Sequence, residues 1–358
     1  MARSLQQHFQ AMTSKQSSST SRRQFLSSAA LGGMGLATLA GCTSEAGGAG
    51  KENRLRAACG NAGLKTSWCS LGKKAMELWG ELLNVEVVWI DGELDTHAQA
   101  NKVSQRANEE WDFACFQPVH TGSLADAVKP FKEQNIPLIT MDVMLVENRD
   151  AMRDAGVWCH VSGDQEFMGA ASTRALMEKI GGKGKIIHIG GDAGHSGAQG
   201  RKRGFDKVLA EYPDVELIGG DVRWCNWVKD EAYAAMTAIV NQHKDEPIAG
   251  CFCQNDDMAL ACATALKDTI HEGMVITAVD GQADGLNGVE DGTLFATTLN
   301  PVSLIHFTAL ALGQFMVRNN ETIDEVPIEV ITPGPVVSQD TGNLHAMRYL
   351  ADPRHCMV

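Results

Sequence analysis

Nothing in this 358-residue chain is apolar for long enough to span a bilayer: its strongest hydrophobic stretch, near the N-terminus, falls short of the ~20 residues a crossing helix needs. The chain has no long low-complexity tract, no Cys-x-x-Cys pair and no His-Glu-x-x-His run. The short signatures of structural zinc, thiol–disulfide exchange and zinc-dependent hydrolysis are therefore missing, and neither a metal nor a cofactor is expected. Positive charge is also scarce. Lysine and arginine total 31 against 44 acids, a net charge of −13, with no basic stripe. Such a surface repels a phosphate backbone, so no nucleic-acid partner is expected.

What remains is an ordinary globular composition, 44% hydrophobic and 21% charged, in a chain long enough for two cores. The N-terminus stands apart. Ser21-Arg22-Arg23-Gln24-Phe25-Leu26 leads into a stretch rich in Ala, Gly and Leu that ends in Leu39-Ala40-Gly41-Cys42. This order resembles a twin-arginine (Tat) export signal joined to a lipobox, which implies removal of residues 1–41 and lipidation of Cys42; an uncleaved N-terminal anchor is the alternative. The segment 1–41 carries four basic residues and no acids, so the processed chain has a charge of −13 − 4 = −17. Thr43 to Gly50 is small and Gly-rich, which suits a flexible tether over residues 42–53. The expected location is the periplasm or the outer face of the cell membrane, held through the lipid alone. Of ten cysteines, nine lie beyond Cys42, an odd number for an oxidising compartment. Cys251 and Cys253 face the same side of one strand, and buried free thiols are expected.

From Leu55 onward, short apolar runs alternate with helical periodicity. Expected strands include Leu55 to Cys59, Val85 to Ile90, Phe113 to Phe116, Pro137 to Met141, Lys185 to Ile189, Gly250 to Cys253 and Val275 to Val279. Helices fall between them, one of them over Gly122 to Gln134. Alternation of this kind predicts α/β architecture with parallel sheets covered on both faces, and two runs of it predict two doubly wound lobes.

Polar groups recur where these strands end: Gln117, Asp142, Asn255, Asp280 and Asn300. In open α/β sheets ligands are met outside the carboxyl ends of the strands. Carboxylates accept hydroxyl hydrogens and amides both donate and accept, so the set suits a neutral, hydroxyl-rich molecule. Each alone could equally be a helix N-cap or turn residue.

The run Gln254-Asn255-Asp256-Asp257-Met258-Ala259-Leu260 resembles the periplasmic sugar-binding family of ribose-binding-protein type, the type I solute-binding proteins of ABC transporters. Val279-Asp280-Gly281 with Asp284-Gly285, Ile136 to Asp142, Arg201 with Gly204-Phe205, and Asn226-Trp227 followed by Ala232 are similar to further motifs of that family, in order. The likeness spans about Leu55 to Thr332. It implies a periplasmic-binding-protein-like I fold: two doubly wound parallel-sheet lobes joined by a three-crossover hinge. The first lobe would take 54–162 plus about 301–329, the second 163–300 plus about 330–345.

The resemblance further implies that Asp142, Asn255 and Asp280 bind hydroxyls, with Gln117 and Asn300 as further polar contacts. Trp227 would lie against the ligand's C–H face, and Trp68 opposite it, although Trp68 also fits the core stripe of its helix. Three departures are visible. Val143 stands where the family has an arginine, and Gln199 stands where a second arginine is expected, which makes Gln199 a candidate contact. Lys65 replaces an asparagine. Asp256 and Asp257 read as helix-start residues.

The implied function is that of a substrate-binding lipoprotein, not an enzyme, that closes on a sugar or polyol and delivers it to an ABC transporter permease. A receptor feeding a chemoreceptor or sensor kinase is the rival within the fold. A Tat-exported redox enzyme is the rival outside it, though the loop Gly190-Gly191-Asp192-Ala193-Gly194 lacks the G-x-G-x-x-G spacing of a nucleotide site.

Overall fold

The computed structural model describes residues 54–332, 334–352 and 354. The export motif in 1–41, Cys42 and the tether 42–53 lie outside the described residues. So do Pro333 and Cys356.

The chain builds two sheets in succession. In the first lobe, strands β1 (Leu55–Gly60), β2 (Val85–Trp89), β3 (Phe113–Phe116), β4 (Leu138–Met141) and β5 (Val157–Gly163) alternate with helices α1 (Ser67–Leu82), α2 (Thr96–Arg106) and the short α3 (Lys129–Glu133). The second lobe runs α4 (Gln165–Lys179), β6 (Gly184–Gly190), α5 (Ser196–Leu209), β7 (Val215–Leu217), β8 (Arg223–Trp224), α6 (Lys229–Gln242), β9 (Gly250–Cys253), α7 (Asp256–Ala265), β10 (Val275–Asp280), α8 (Ala283–Asp291) and β11 (Ala296–Leu299). The chain then returns through α9 (Val302–Asn319) and β12 (Glu329–Thr332) to the first lobe. It ends in the second with β13 (Val336–Ser338) and α10 (Leu344–Leu350).

The first sheet has the order β12-β5-β4-β3-β1-β2 and is parallel throughout. The second has β13-β11-β10-β9-β6-β7, with β8 beside β6 and only β13 antiparallel. Both halves thus share the 2-1-3-4-5 winding of doubly wound sheets, whose ligands meet the strand ends near the reversal of strand order. The chain crosses between the sheets three times: after β5, after β11 and after β12.

Parallel strands covered by helices are apolar on both faces, and β3 shows why. Phe113 and Cys115 face the core under α1 and α9, whereas Ala114 and Phe116 face the opposite core with Phe131. In β9, Cys251 and Cys253 face one core and Phe252 the other. All eight described cysteines are buried and free, including Cys251 and Cys253, whose sulfurs stand 3.5 Å apart.

Two expectations need correction. Most of Gly122 to Gln134 is a series of turns, with helix only over Lys129–Glu133; Gly122 has φ +86°, and Pro130 at the start of the helix lacks an N–H for a preceding turn. The first lobe's returning segment does not stop near 329. Glu329–Thr332 pairs in register with His160–Gly163, so the whole strand belongs to the first sheet.

Candidate ligand-binding site

Between the carboxyl ends of the two sheets lies a cavity of about 440 Å³. Seven of the eight residues expected there line it: Trp68, Gln117 and Asp142 from the first lobe, Trp227, Asn255 and Asp280 from the second, and Asn300 at the second crossing. Gln199 does not. Its amide donates to the Ala193 carbonyl at 2.7 Å, in the loop before α5. The cation sought at that position is instead Arg201, two residues on, which points into the cleft. Val143, where the other arginine was sought, is fully buried. Lys65 is exposed and lies outside the cavity.

Arg201 organises the floor. Its Nη2 donates to Asp280 Oδ1 at 3.0 Å, its Nε to Gln165 Oε1 at 2.8 Å, and its Nη1 to the Gln254 carbonyl. Gln165 in turn donates from Nε2 to Asp142 Oδ1 at 2.6 Å. Asp142 and Asp280, one from each lobe, are therefore joined through a buried amide and a guanidinium, a network that holds every member in one orientation. Gln117 Nε2 donates to Asp142 Oδ2 at 3.1 Å, and Gln282 Nε2 to Asp280 Oδ2 at 3.3 Å. Turned one way, Asn300 donates to Asp142 Oδ1 at 3.3 Å. Turned the other, its oxygen accepts from Trp68 Nε1 at 3.3 Å and Arg201 Nη2 at 3.0 Å.

The backbone is strained where the site is built. Asp142 has φ +56°, Asp280 +114°, Asn226 +49° and Trp227 +62°, all rare for residues with a Cβ. Such conformations cost about 1–3 kcal/mol each and persist when their surroundings over-determine them. Backbone bonds hold three of them: Asp142 N donates to Val161 O at 2.8 Å, Asn300 N to Asp280 O at 3.0 Å, and Asn226 N to Gly191 O at 2.8 Å.

Electrostatically the cleft favours a neutral guest. Burial pushes the Asp280 carboxyl up to about 7, against the pull of Arg201 and with the push of Asp142. Burial likewise holds His195 down to about 4, although Asp142 pulls the other way. The Cys69 thiol, the one sulfur among the lining residues, is pushed by burial up to about 12, so it stays protonated and inert.

The aromatic walls come from opposite lobes. Trp68 is only 6% exposed and meets His306 edge-on at 5.2 Å, so it is both cavity lining and part of the first core. Trp227 lies over Gly191, with His195 edge-on at 5.1 Å and the Arg201 guanidinium 5.5 Å from its ring. Asn255 does two jobs. Its Oδ1 caps α7 through Met258 N at 2.8 Å, and the residue still lines the cavity.

Neither Asp256 nor Asp257 lines the cavity, in keeping with their reading as helix-start residues, yet both do more than that. Asp256 is buried and accepts from Gln282 N at 2.7 Å and Thr297 Oγ1 at 2.6 Å, tying α7 to the start of α8 and to β11. Asp257 reaches the other lobe. It accepts from Ser67 Oγ at 3.0 Å and Ser67 N at 3.3 Å, beside Lys229 Nζ at 3.0 Å. His120 and Asp192 also meet across the opening, at 2.6 Å, and Met144 N donates to Ser196 Oγ at 3.1 Å. Arg201 stands within a motif recognisable in the sequence, but motif spacing places the expected arginine at Gln199, two residues earlier. His195 carried no signal at all, since histidine is not among the favoured helix caps.

Comparison with known proteins adds to this geometry. Residues 61–321 match the family profile described as a periplasmic binding protein domain. The chain is 32% identical over 275 residues to the xylitol-binding protein of Mycolicibacterium smegmatis, covering 77% of this chain and 75% of that one. It is 29% identical over 180 residues to the ribose import binding protein of Escherichia coli, covering 50% and 57%. Its fold superposes with a TM-score of 0.75, at 19% identity, on the periplasmic binding protein component of the arabinose ABC transporter from Shewanella sp. ANA-3, bound to alpha and beta-L-arabinofuranose. That match covers 84% of this chain and 96% of the other.

Proposed function

The chain belongs to the periplasmic binding protein family, and from that premise we propose that it is the substrate-binding lipoprotein of an ABC importer, taking a neutral sugar or polyol between its lobes. The observation that carries the reading is the strand-end network: Asp142 and Asp280 face one cavity from two lobes, joined through Gln165 and Arg201, between two tryptophans. Carboxylates and amides there can bind several hydroxyls at once, while the indole faces take up C–H surface without needing hydrogen bonds.

The mechanism is hinge closure about the three crossings. A ligand that contacts both lobes binds the closed arrangement better than the open one and shifts the population by that difference. The bonds from Ser67 to Asp257 exist only while the lobes touch, so Ser67→Ala should weaken ligand binding by about 0.5–1.5 kcal/mol and leave the unfolding midpoint of the ligand-free protein unchanged. Calorimetric affinity equal to the wild type would remove this edge from the closing mechanism.

The reading is tested by a thermal-shift screen of purified protein against xylitol, ribitol, D-arabinitol, D-ribose and L-arabinose. A ligand at 100 times its dissociation constant adds ~2.7 kcal/mol of stability, a shift well above detection. No shift with any carbohydrate or polyol would overturn it. Export and anchoring follow from the N-terminal motifs. Cys42→Ser should move the protein from the membrane fraction to the soluble extracytoplasmic fraction, and replacing Arg22 and Arg23 by lysine should hold it in the cytoplasm. A Cys42→Ser protein still pelleting with membranes would rule out lipidation at that residue.

A further inference from the structure

His195 precedes α5 and is buried, 6% exposed. Its Nδ1 accepts from the backbone N–H of Gly197 at 3.1 Å and of Ala198 at 3.3 Å, so the ring caps the helix. A ring nitrogen that accepts two N–H groups carries no hydrogen of its own. The neutral imidazole has one proton, and it must be on Nε2. That Nε2 points across the cleft to Asp142 Oδ2, 3.6 Å away on the other lobe. The gap is too long for a direct hydrogen bond, yet short enough for a single oxygen atom to sit within bonding distance of both. Trp227 meets the ring edge-on and fixes its plane. Asp142 Oδ1 is engaged by Gln165, whereas Oδ2 accepts from Gln117 Nε2 at 3.1 Å and keeps its second lone pair for the gap.

We propose that His195 and Asp142 grip the same ligand hydroxyl from opposite lobes, His195 Nε2–H donating to its oxygen and Asp142 accepting its hydrogen. The inference rests on the reading of the cleft as a sugar or polyol site. It makes one hydroxyl, able to donate and accept at once, the determinant of specificity. It excludes acidic sugars at this point, because their carboxylate would face Asp142. It also gives the cleft a donor on the second lobe where the arginine sought beside Asp142 is replaced by Val143.

The charged and titratable groups around the ring are Asp142 from the first lobe, Arg201 from α5, Asp192 from the preceding loop and His120 from the facing loop. Protonating the ring would place a hydrogen on Nδ1 and break both capping bonds, in keeping with a ring held neutral down to about pH 4.

The test uses His195→Asn. Asparagine caps helices well, and its Oδ1 occupies the place of Nδ1, whereas its amide nitrogen stops about one bond short of Nε2. Calorimetry with xylitol, ribitol, D-arabinitol, D-ribose and L-arabinose, each with its monodeoxy derivatives, compares it with the wild type. The expected result is an unchanged unfolding midpoint and a loss of affinity of about tenfold or more. In addition, one deoxy position should weaken binding to the wild type and cost clearly less in the variant, where only the Asp142 contact is left to lose. If the wild type binds a panel member and His195→Asn binds it equally well, or every deoxy loss is the same in both proteins, the inference falls and the sugar-binding function stands. If the wild type binds none of the panel, the functional reading fails and takes the inference with it. Nitrogen NMR of wild-type His195 gives an arm that needs no variant: protonation at Nε2 is expected, and a ring protonated at Nδ1 overturns the proposal.

Discussion

Asp280→Asn is expected to weaken ligand binding by about a hundredfold or more. A carboxylate holding ligand hydroxyls makes charge-assisted bonds worth about 1.5–3 kcal/mol each, and losing two of them lowers affinity by at least on the order of a hundredfold. The same change strips the buried Arg201 guanidinium, 3.0 Å away, of its counter-charge. Asparagine still offers Arg201 an acceptor, and burial disfavours the Asp280 anion in the folded chain, so urea unfolding of the ligand-free variant should stay close to wild type at and below about pH 7.

The pH dependence separates this residue from a generic core defect. Folded Asp280 holds its proton more tightly than the unfolded chain does. Its contribution to stability is thus fully present below the ordinary value of 3.8 and is lost as the pH rises towards about 7. Ligand hydroxyls favour the ionised carboxylate, so binding should draw a proton off and affinity should rise with pH through about 7. Calorimetry in buffers of different ionisation enthalpy would detect that proton. The asparagine variant releases none. Proton release persisting in Asp280→Asn would assign it to another group.

The second large effect comes from a residue that touches no ligand. Helices α4 and α5 cross backbone to backbone at Gly169 and Gly204. A Cβ on Gly169 would stand 2.1 Å from the Arg201 carbonyl oxygen, and one on Gly204 would stand 2.1 Å from the Glu166 carbonyl oxygen. Neither obstacle is a flexible side chain, so Gly169→Ala must push the helices apart. Overpacking of this kind costs about 1–3 kcal/mol. The displaced backbone is also the one that carries Arg201, whose bonds to Gln165, Gln254 and Asp280 hold the floor of the cleft. Gly169→Ala should therefore lower the unfolding midpoint and also weaken ligand binding. Unaltered affinity in a destabilised variant would show that the cleft is insulated from this crossing.

Much of the site was legible because it sits where local signals are strongest. Asp142 and Asn300 directly follow a strand, Asp280 ends one and Asn255 stands two residues beyond one, and the winding of the sheets then delivers all of them to one edge. The cap reading and the ligand reading of Asn255 turned out to be compatible, since one amide atom serves the helix and leaves the other free. Gln199 failed for an equally local reason. Motif spacing fixes a position only to within a residue or two along a helix, and a shift of two residues turns a side chain through about half a turn, out of the cleft.

By itself, then, the sequence determined the alternation of strand and helix, the two windings, the polar groups at the strand ends and the absence of metal-binding and transmembrane motifs. These depend on the period and composition of short segments. Only the tertiary structure decided which cation reaches Asp280, that Asp257 grips Ser67 across the opening, that Glu329–Thr332 belongs wholly to the first sheet, and that His195 Nε2 faces Asp142 from the other lobe. Arg201 and Asp280 are 79 residues apart, and Ser67 and Asp257 are 190 apart. No local pattern encodes such pairings, because they exist only once both sheets have packed and the crossings have set one lobe against the other.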